Sequence, residues 1–594
     1  MRVLFNVKEK RVFRLKPLYI LRIVLLIATV ILFSNAVAIS RDYQDSWVLE
    51  GLEIPFAAFV ICYAMTFFSE KRMTWLVALA TICRSVLTLI PNLKYVWFMG
   101  RAVDQHRQFS LANYVYDEGH IALGPYWREE SVTRIYIDTP LIHLTFPCFS
   151  MISGIPLLYC FKFLPVLLSS IYPLLTYTVI KKLGFRKETT VLRYALFVSS
   201  LPIHPALSYV ITGSMFGVLL SFLVLSQIVK LLRVNNRSDW LLLIILSCAL
   251  VMTHSFSSLQ LALLILGVSV MQRFSFLQIK SYLKTLTVSL ILLLNLGWVM
   301  LQAPYALSYM AKQIVNMGIL LGIYPKEGFI PQRFFELTRL SIFESLKAIL
   351  VYNGADVFLL LLMIASFIFL ARSRKWSNTL KFVWLFNVLL WLLLIFGVVS
   401  KLGAGYYKRI LRLASISYPV FFGILVMHIG RTKIGSVASA SFLVVTMVLA
   451  PIQSYGCQPI IGSANVISRN LPANEPIVYT GSVNSIYQRE MIYFAKDYVR
   501  GRIACDAITT NQIIGLTEIN FSRTVIWFYP FSRLLDESIP EKDYDYFLTH
   551  LPGKSGPFEE KAEIRTRSLI LEALYNESYN IVYSNVESYV LDRR

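Results

Sequence analysis

A short stretch of the chain combines residue types that can carry acid and base chemistry. "GRAVDQHRQFSLANYV" (100–115) places Arg101, Asp104 and His106 directly after an apolar segment. A carboxylate can take a proton from a substrate hydroxyl or orient that hydroxyl, and a nearby imidazole can tune it, contact a substrate or share a metal ion with it. The alternative is that Asp104 caps a helix or is a surface charge, because Asp is favoured at helix starts.

A second stretch, "KLGAGYYKRILRLASI" (401–416), concentrates cations. Lys408, Arg409 and Arg412 follow one another at i, i+1 and i+4, so on a helix Arg412 shares a face with Lys408. Guanidinium groups bind phosphate oxygens through paired hydrogen bonds, which predicts a phosphate site. Contacts with anionic lipid headgroups explain the same residues without a substrate.

Two further polar residues interrupt apolar segments. Arg84 lies near the middle of one such segment, where an unpaired charge costs at least roughly 2.5 kcal/mol, so we expect it to have a partner inside the protein. That partner is either structural, such as an acid or backbone carbonyls, or a substrate. His254 lies at the turn of an apolar hairpin, 239–272, and either belongs to the core or contacts an acceptor or a phosphate.

The elements that must position these residues are membrane helices. Hydrophobic residues make up 56% of the 594 residues and charged residues 15%, and the mean hydropathy is +0.59, values that a soluble globular protein does not reach. We therefore expect a polytopic α-helical membrane protein. Apolar segments of spanning length predict thirteen transmembrane helices, at 17–39, 52–69, 73–92, 156–181, 187–209, 213–233, 239–254, 256–272, 283–303, 347–371, 378–400, 409–429 and 434–452.

The distribution of Lys and Arg predicts the orientation of these helices. Basic loops fall on one side of the predicted membrane, the cytoplasmic side, together with the basic N-terminal segment; they are 69–73, 181–188, 233–240, 272–284, 372–376 and 430–435. The exterior side then receives the loops 93–155, 304–346 and 401–408 and everything after about 453. The basic residues behind the net charge of +22 are spread over many loops, which argues against nucleic-acid binding.

The composition changes near residue 454, which predicts a transmembrane domain (1–454) followed by a soluble exterior domain (455–594). In the second domain, short β-rich runs alternate with helix-like stretches, a pattern typical of a small α/β domain. The runs are "PIVYTG" (476–481), "TVIWFY" (524–529), "DYFLTH" (545–550) and a two-strand unit at 579–593, and the helix-like stretches are 485–499 and 559–576. Its two cysteines, Cys457 and Cys505, can form a disulfide in an oxidising compartment.

Several stretches of the chain together resemble the GT-C superfamily of polytopic glycosyltransferases that use lipid-phosphate donors. The resemblance rests on Asp104-x-His106 after a span, on "TPLIHLTFPCFSMISGIPLLYCFKFLPVLLSSIYPLLTYTVIKKLGF" (139–185), on "LVMTHSFSSLQLALLIL" (250–266) and on "YYKRILRLASI" (406–416). It runs over much of 73–455, in architecture more than in identity. The fold that it implies has a helical membrane core and a large exterior loop that carries an Asp.

The resemblance also implies a reaction and a set of partners. A sugar would move from a polyprenyl-phosphate donor to a glycan, lipid or protein acceptor at the cell envelope, with Asp104 as base or acceptor-orienting carboxylate beside His106. The side chains implied for substrate binding are Arg101, Arg84, His254, Lys408, Arg409 and Arg412. A divalent metal ion is compatible with this site, but the sequence does not require one.

Two departures from relatives in the superfamily narrow the donor. Its oligosaccharyltransferases have a second exterior acid in a later loop and a Trp-Trp-Asp signature in the soluble tail. The corresponding loop here, 200–215, contains His204 but no acid, and the tail contains no Trp-Trp-Asp. The resemblance therefore implies a monosaccharide on a single phosphate as the donor.

Two functions of other classes stay open. A lipid or solute transporter would use Arg84 as a pathway residue and Asp104 as a gate, although the internal repeats typical of transporters are not evident. A non-catalytic membrane scaffold would explain an exterior binding domain, but it gives the residues around Asp104 and Arg409 no role. Convergence of Asp104, His106, Arg409 and Arg412 on one outward-facing cavity would favour the enzyme.

Overall fold

The computed structural model is mostly helical. It describes residues 17–39, 53–94, 103–120, 139–183, 189–200, 213–232, 236–271, 285–301, 364, 383–390, 392, 418–429, 490–491, 494–495, 497–499, 503–505, 546–550, 579–584 and 588–593. Twelve helices and a four-stranded sheet are defined within this part of the chain.

Three apolar helices come first: α1 (Pro17–Ile39), α2 (Glu53–Ser69) and α3 (Met73–Lys94). Each coincides with a predicted span to within two residues, so the sequence prediction of these helices is confirmed. Pro17 suits the first position of α1. The backbone N–H of a residue at this position has no hydrogen-bond partner within a helix, so proline, which lacks an N–H, breaks no bond there. The short turn between α2 and α3 is closed by the Glu70 carboxylate, which accepts the backbone N–H groups of Lys71 and Arg72 at 2.8 and 2.7 Å.

The next two helices, α4 (Val103–Glu118) and α5 (Leu141–Ser153), pack against each other. α4 buries one face, at Gln108, Leu111, Ala112 and Val115. α5 ends at Gly154, whose φ of 69° is accessible to glycine and whose N–H is bonded to the carbonyl of Ser150 at 2.9 Å. With 13 residues, α5 is about 20 Å long, which is too short to cross a hydrocarbon core of about 30 Å.

The longest helix, α6 (Leu157–Leu183), contains Pro165 and Pro173 and ends with Lys181 and Lys182. Among the described residues, it is the helix that is long and apolar enough to cross a membrane by length and composition. Shorter apolar segments occur in α1, α2, α3 and α5 and in four-turn helices further along the chain. The predicted number of spans and their orientation stay predictions.

Six more helices follow, and each matches all or part of a predicted span. They are α7 (Thr189–Ser200), α8 (Gly213–Leu231), α9 (Arg237–Thr253), α10 (Ser255–Met271), α11 (Thr285–Leu301) and α12 (Tyr418–Ile429). Asn236 caps α9 because its side chain accepts the N–H of Ser238 at 3.3 Å. The predicted span 378–400 is helical at 383–390, whereas 434–452 lies outside the described residues.

The main core lies where α3, α6, α7 and α12 meet. Aromatic rings of α2 and α7 fill one part of it: the ring centroids of Tyr63 and Phe197 are 5.4 Å apart, and those of Phe67 and Phe197 are also 5.4 Å apart. α7 and α12 approach each other closely at Gly423 of α12. A Cβ at this position would stand 2.5 Å from the carbonyl oxygen of Val191 in α7, so only glycine permits this spacing.

The C-terminal part contains four strands: β1 (Ile503–Cys505), β2 (Tyr546–His550), β3 (Tyr579–Ser584) and β4 (Ser588–Arg593). The sheet order is β1-β2-β4-β3. β1 pairs with β2 in parallel, and the other two pairs are antiparallel. The predicted strand at 545–550 and the two-strand unit at 579–593 are confirmed. Within the predicted helix 485–499, residues such as Met491 and Ala495 are helical.

Several predictions for this C-terminal part fall outside the described residues. They are the strands 476–481 and 524–529 and the helix 559–576. The domain boundary at 454 and the disulfide between Cys457 and Cys505 stay predictions as well.

Candidate functional site

Asp104 lies in the first turn of α4. There the amide dipoles of a helix favour a negative charge. Positions four, eight and eleven residues further along are Gln108, Ala112 and Val115, all buried, and residues spaced in this way share a helix face. The Asp104 position therefore belongs to the face of α4 that packs against its neighbours.

His106 occupies a different face of the same helix. Two residues along an α-helix correspond to a rotation of about 200°, which puts the His106 position on the side away from Asp104. Asn113 and Asp117 follow His106 on that side, and Asn113 donates a hydrogen bond to Asp117 Oδ2 at 2.9 Å near the surface. A regular helix does not bring Asp104 and His106 together around one metal ion. Within the described part of the chain, no group of three or more His, Cys, Asp or Glu side chains could hold a metal.

Two buried polar side chains lie on α4 and α5, the helices that pack against each other. Gln108 of α4 and His143 of α5 are each 1% exposed. Neither Gln108 Oε1 nor His143 Nε2 has a hydrogen-bond partner among the residues that the structure describes. A buried polar atom without a partner costs about 1–3 kcal/mol, so both atoms are candidates for contact with a ligand.

Burial also sets the charge of His143. It lowers the pKa of His143 to about 3, because an imidazolium would lose its hydration inside the protein. The side chain is therefore neutral at physiological pH. A neutral imidazole with the proton on Nε2 is a donor and Gln108 Oε1 is an acceptor, so each could bind a substrate hydroxyl.

Aromatic contacts fix the position of this interface. The ring of Phe161 in α6 meets that of Phe109 in α4 edge-on, with centroids 5.3 Å apart, and that of Phe146 in α5 at 4.4 Å. Phe146 also meets Phe216 of α8 edge-on at 5.7 Å. α4 and α5 are therefore held on the N-terminal part of α6 and beside the start of α8.

His254 lies close to the same end of α8. It joins α9 to α10, and its Nδ1 accepts the backbone N–H of Ser257 at 3.1 Å and lies 2.7 Å from Ser257 Oγ. Because Nδ1 accepts a backbone N–H, the ring proton of the neutral form belongs on Nε2. Gly217 lets α8 approach this turn, since a Cβ at Gly217 would lie 3.0 Å from the Cβ of His254. His254 therefore caps the start of α10.

Arg84 is buried between α3, α6 and α7 with partners on each neighbour. Its Nε donates to Ser169 Oγ at 2.9 Å and its Nη1 to the carbonyl of Ser199 at 2.9 Å. The guanidinium carbon lies 4.7 Å from the centroid of the Tyr172 ring, a distance suited to a cation–π contact. These contacts favour the structural role over the substrate role, because Arg84 binds a carbonyl in the last turn of α7.

The remaining candidates lie outside the described residues. They are Arg101, Lys408, Arg409 and Arg412. Convergence of these cations with Asp104 is therefore a prediction. Sequence reasoning missed Gln108 and His143, although the i+4 spacing of Gln108 from Asp104 was a signal that could have found the first.

Comparisons with known proteins bear on the fold. The sequence matches no protein-family model and no curated protein. Among solved structures, the chain is similar to the Archaeoglobus fulgidus oligosaccharyltransferase in complex with Zn and sulfate, with a TM-score of 0.53 and 11% identity, over 87% of this chain and 73% of that one. The chain shares the fold of this oligosaccharyltransferase. At this identity, the likeness shows the fold alone.

Two further solved structures align less closely. The Archaeoglobus fulgidus oligosaccharyltransferase AglB in complex with an inhibitory peptide and a dolichol-phosphate has a TM-score of 0.48 and 10% identity, over 88% of this chain and 74% of that one. The arabinofuranosyltransferase AftD from Mycobacteria has a TM-score of 0.47 and 12% identity, over 88% of this chain and 40% of that one. TM-scores of this size support no further conclusion.

Proposed function

We propose that the chain is a membrane glycosyltransferase that moves a sugar from a polyprenyl-phosphate donor to an acceptor on the exterior face of the membrane. One observation supports the proposal: in a fold shared with an oligosaccharyltransferase, the Asp104 position shares a face of α4 with Gln108, which is buried one turn further on. The resemblance to the GT-C superfamily implies that the acceptor is a glycan, a lipid or a protein.

In the proposed reaction, Asp104 takes the proton of an acceptor hydroxyl or orients that hydroxyl. The acceptor oxygen forms a bond to the anomeric carbon of the sugar. The bond between that carbon and the phosphate oxygen breaks, and its electron pair leaves with the polyprenyl phosphate. Negative charge on the phosphate is stabilised by the cations Arg101, Lys408, Arg409 and Arg412. A monosaccharide on a single phosphate is the proposed donor.

Gln108 and His143 have a proposed role in this reaction as positioning residues. Sugar or acceptor hydroxyls would donate to Gln108 Oε1 and accept from His143 Nε2, which would satisfy each buried atom. His106 lies on the opposite side of α4 and would contact a substrate rather than Asp104. Arg84 would act on the reaction only by holding α7 in place.

The proposed topology follows the predicted spans. The chain is a multi-pass protein of the cell membrane with about thirteen transmembrane helices, a cytoplasmic N-terminus and an exterior C-terminal α/β domain from about residue 455. Asp104 must then lie at the depth of the lipid headgroups, because a lipid-linked donor holds its phosphate there and its sugar just outside.

The test is sugar transfer from radiolabelled polyprenyl-phosphate donors by the purified protein. We expect Asp104→Asn to lower the rate by about 100-fold or more, the usual contribution of a general base. Asp117→Asn is the matched control, because Asp117 is a second aspartate of α4 on its exposed face, and it should keep the rate. Folded yield is compared by size-exclusion chromatography.

Two results would contradict this proposal. Equal rates for Asp104→Asn and the wild type would remove Asp104 from the catalytic role. No transfer by the wild type with any donor of a broad panel would favour the transporter or the scaffold.

A further inference from the structure

The C-terminal end of α6 carries a cavity of about 450 Å³, lined by Tyr177, Thr178, Lys181 and Lys182. This end lies far from α4, which meets α6 at Phe161. Twenty-one residues separate Phe161 from Lys182, and at 1.5 Å per residue they span roughly 30 Å. That distance equals the thickness of the hydrocarbon core of a bilayer, so in the proposed topology the cavity lies at the opposite membrane surface from α4.

Both lysine side chains of the cavity are held in place by neighbours. The ammonium of Lys181 lies 4.2 Å from the centroid of the Tyr177 ring, within the range of a cation–π contact. Lys182 Nζ donates to the hydroxyl of Ser226 at 2.8 Å and to the carbonyl of Ser226 at 3.3 Å, both in α8. Each ammonium has three N–H donors, so Lys182 keeps one beyond the two that Ser226 receives.

Within the part of the chain that the structure describes, Lys181 and Lys182 form no close ion pair, although Asp239 attracts Lys182 from a longer distance. Among the described residues, neither Lys181 nor Lys182 has an Asp or Glu oxygen within 4 Å. The carboxylate at this end of the bundle, Asp239 of α9, is already paired with Lys230 of α8 at 2.6 Å. Two ammonium groups that line one cavity suit an anion, since a phosphate can accept hydrogen bonds from ammonium groups.

An apolar stripe on the same helix indicates where the anion comes from. Leu167, Ile171 and Leu174 of α6 are exposed, at 59%, 39% and 43%. Their spacing continues to Thr178 and Lys181, so one face of α6 runs from an open apolar surface into the cavity. A free phosphate has no apolar part that could contact this stripe, whereas the acyl chains of a lipid would cover it.

We propose that this cavity binds the headgroup of an anionic phospholipid, with its phosphate between the ammonium groups of Lys181 and Lys182 and its acyl chains along Leu174, Ile171 and Leu167. The hydroxyl of Thr178 and the ring of Tyr177 line the headgroup. The lipid fills the surface between α6 and α8 and strengthens their contact at Ser226. This proposal is independent of the sugar-transfer reaction, because it concerns the opposite end of α6.

The test measures lipid binding to the purified full-length protein in detergent by native mass spectrometry. The probes are dioleoylphosphatidylglycerol, which is anionic, and dioleoylphosphatidylcholine, which carries no net charge. We expect tighter binding of the anionic lipid, and we expect Lys181→Gln to weaken it roughly fivefold, the effect of one lysine near a lipid surface. Inorganic phosphate at millimolar concentration should not displace the lipid.

A matched control separates this site from general attraction between lysines and lipids. Lys162 lies near the other end of α6, with its ammonium 5.8 Å from the ring centroid of Phe163, so Lys162→Gln removes one ring-stacked cation from the same helix. It should leave binding of the anionic lipid unchanged. A Lys182→Gln variant would lose both the charge and the contact with α8. Ser226→Ala is therefore measured beside it, because this variant removes the hydroxyl contact but keeps the charge, and it should keep most of the binding.

Three outcomes would overturn the proposal. They are equal binding of the two lipids, an equal loss in Lys162→Gln and Lys181→Gln, and displacement of the lipid by inorganic phosphate. The last would identify the cavity as a site for a soluble anion.

Discussion

Buried polar side chains at two places in the helical bundle differ in whether their atoms have partners. In the Arg84 cluster, formed by Arg84, Ser169, Tyr172 and Ser199, the guanidinium binds a hydroxyl, a carbonyl and a ring face on α6 and α7. At the interface of α4 and α5, Gln108 Oε1 and His143 Nε2 are equally buried and lack partners within the described residues.

The polar groups of the Arg84 cluster hold helices together, whereas Gln108 Oε1 and His143 Nε2 belong to a set of buried atoms without a described partner that also includes Ser247 Oγ and Asn295 Oδ1. A satisfied buried group adds stability, whereas an unsatisfied one lowers it and persists only if something else requires it. By this criterion the Arg84 cluster is structural, although an arginine within an apolar segment invites a functional interpretation. For Gln108 and His143 we propose contact with a substrate, although the glutamine attracts no attention in the sequence.

The largest effect on stability is expected at Gly423, where α7 and α12 approach each other. Gly423→Ala would put a Cβ 2.5 Å from the carbonyl of Val191 and force α7 and α12 apart, which should lower the free energy of unfolding by about 3 kcal/mol. The control is Gly297→Ala in α11, where a Cβ meets nothing within 4 Å; it should raise stability by about 0.5–1 kcal/mol. Thermal unfolding in detergent measures both, and an equal effect of the two variants would contradict the packing described for α7.

The next effect concerns Arg84 itself. Arg84→Met keeps much of the side-chain volume but leaves the Ser199 carbonyl and the Ser169 hydroxyl without their donor. We expect the free energy of unfolding to fall by about 2–3 kcal/mol, measured by denaturation in mixed micelles. Unchanged stability together with lost substrate binding would instead support the role of Arg84 as a substrate ligand.

His143 makes stability depend on pH. Its folded pKa of about 3 lies below the unfolded value of about 6.5, so below pH 6.5 the unfolded chain takes up a proton that the folded chain does not. The stabilisation is fully present above pH 6.5 and is lost as the pH falls, by about 2 kcal/mol at pH 5. His143→Leu should remove this loss, whereas His120→Leu, at the exposed end of α4, should retain it. Parallel unfolding curves of the wild type and His143→Leu at pH 7 and pH 5 would contradict the burial of His143.

The smallest effect on stability is expected for Tyr63, which joins α2 to α7. Its hydroxyl donates to Ser200 Oγ at 2.8 Å and also interacts with the Cys83 thiol, and Tyr63→Phe removes these contacts while keeping the ring in place. The free energy of unfolding should fall by about 1 kcal/mol. A loss as large as that of Arg84→Met would show that the hydroxyl network, rather than the guanidinium, holds α7.

The sequence predicted the helices well because apolar length is a direct signal. The spans at 17–39 and 52–69 agree with α1 and α2 to within one residue, and the strands at 545–550 and 579–593 were recognisable from alternating and β-branched residues. β1 was missed because a three-residue strand has no periodicity of its own. It exists through its pairing with β2.

The site was less accessible to sequence analysis than the fold. Asp104 was identified by its type and its place after a span, but the side of α4 to which it belongs required the buried positions of Gln108 and Ala112. The partners of Arg84, Ser169 and Ser199, are 85 and 115 residues away in the chain, and no local pattern reveals such pairs. The absence of partners at His143 also depends on distant packing.

Stability and sugar transfer should be measured together for Gln108→Leu and Arg84→Met. We expect opposite outcomes for the two variants. Gln108→Leu should be at least as stable as the wild type, because a buried unpaired oxygen is removed, and should transfer sugar at least tenfold more slowly per folded molecule. Arg84→Met should unfold at a lower temperature and transfer sugar at the wild-type rate per folded molecule. Full activity of Gln108→Leu, or a loss of activity in folded Arg84→Met, would contradict the distinction between the two regions.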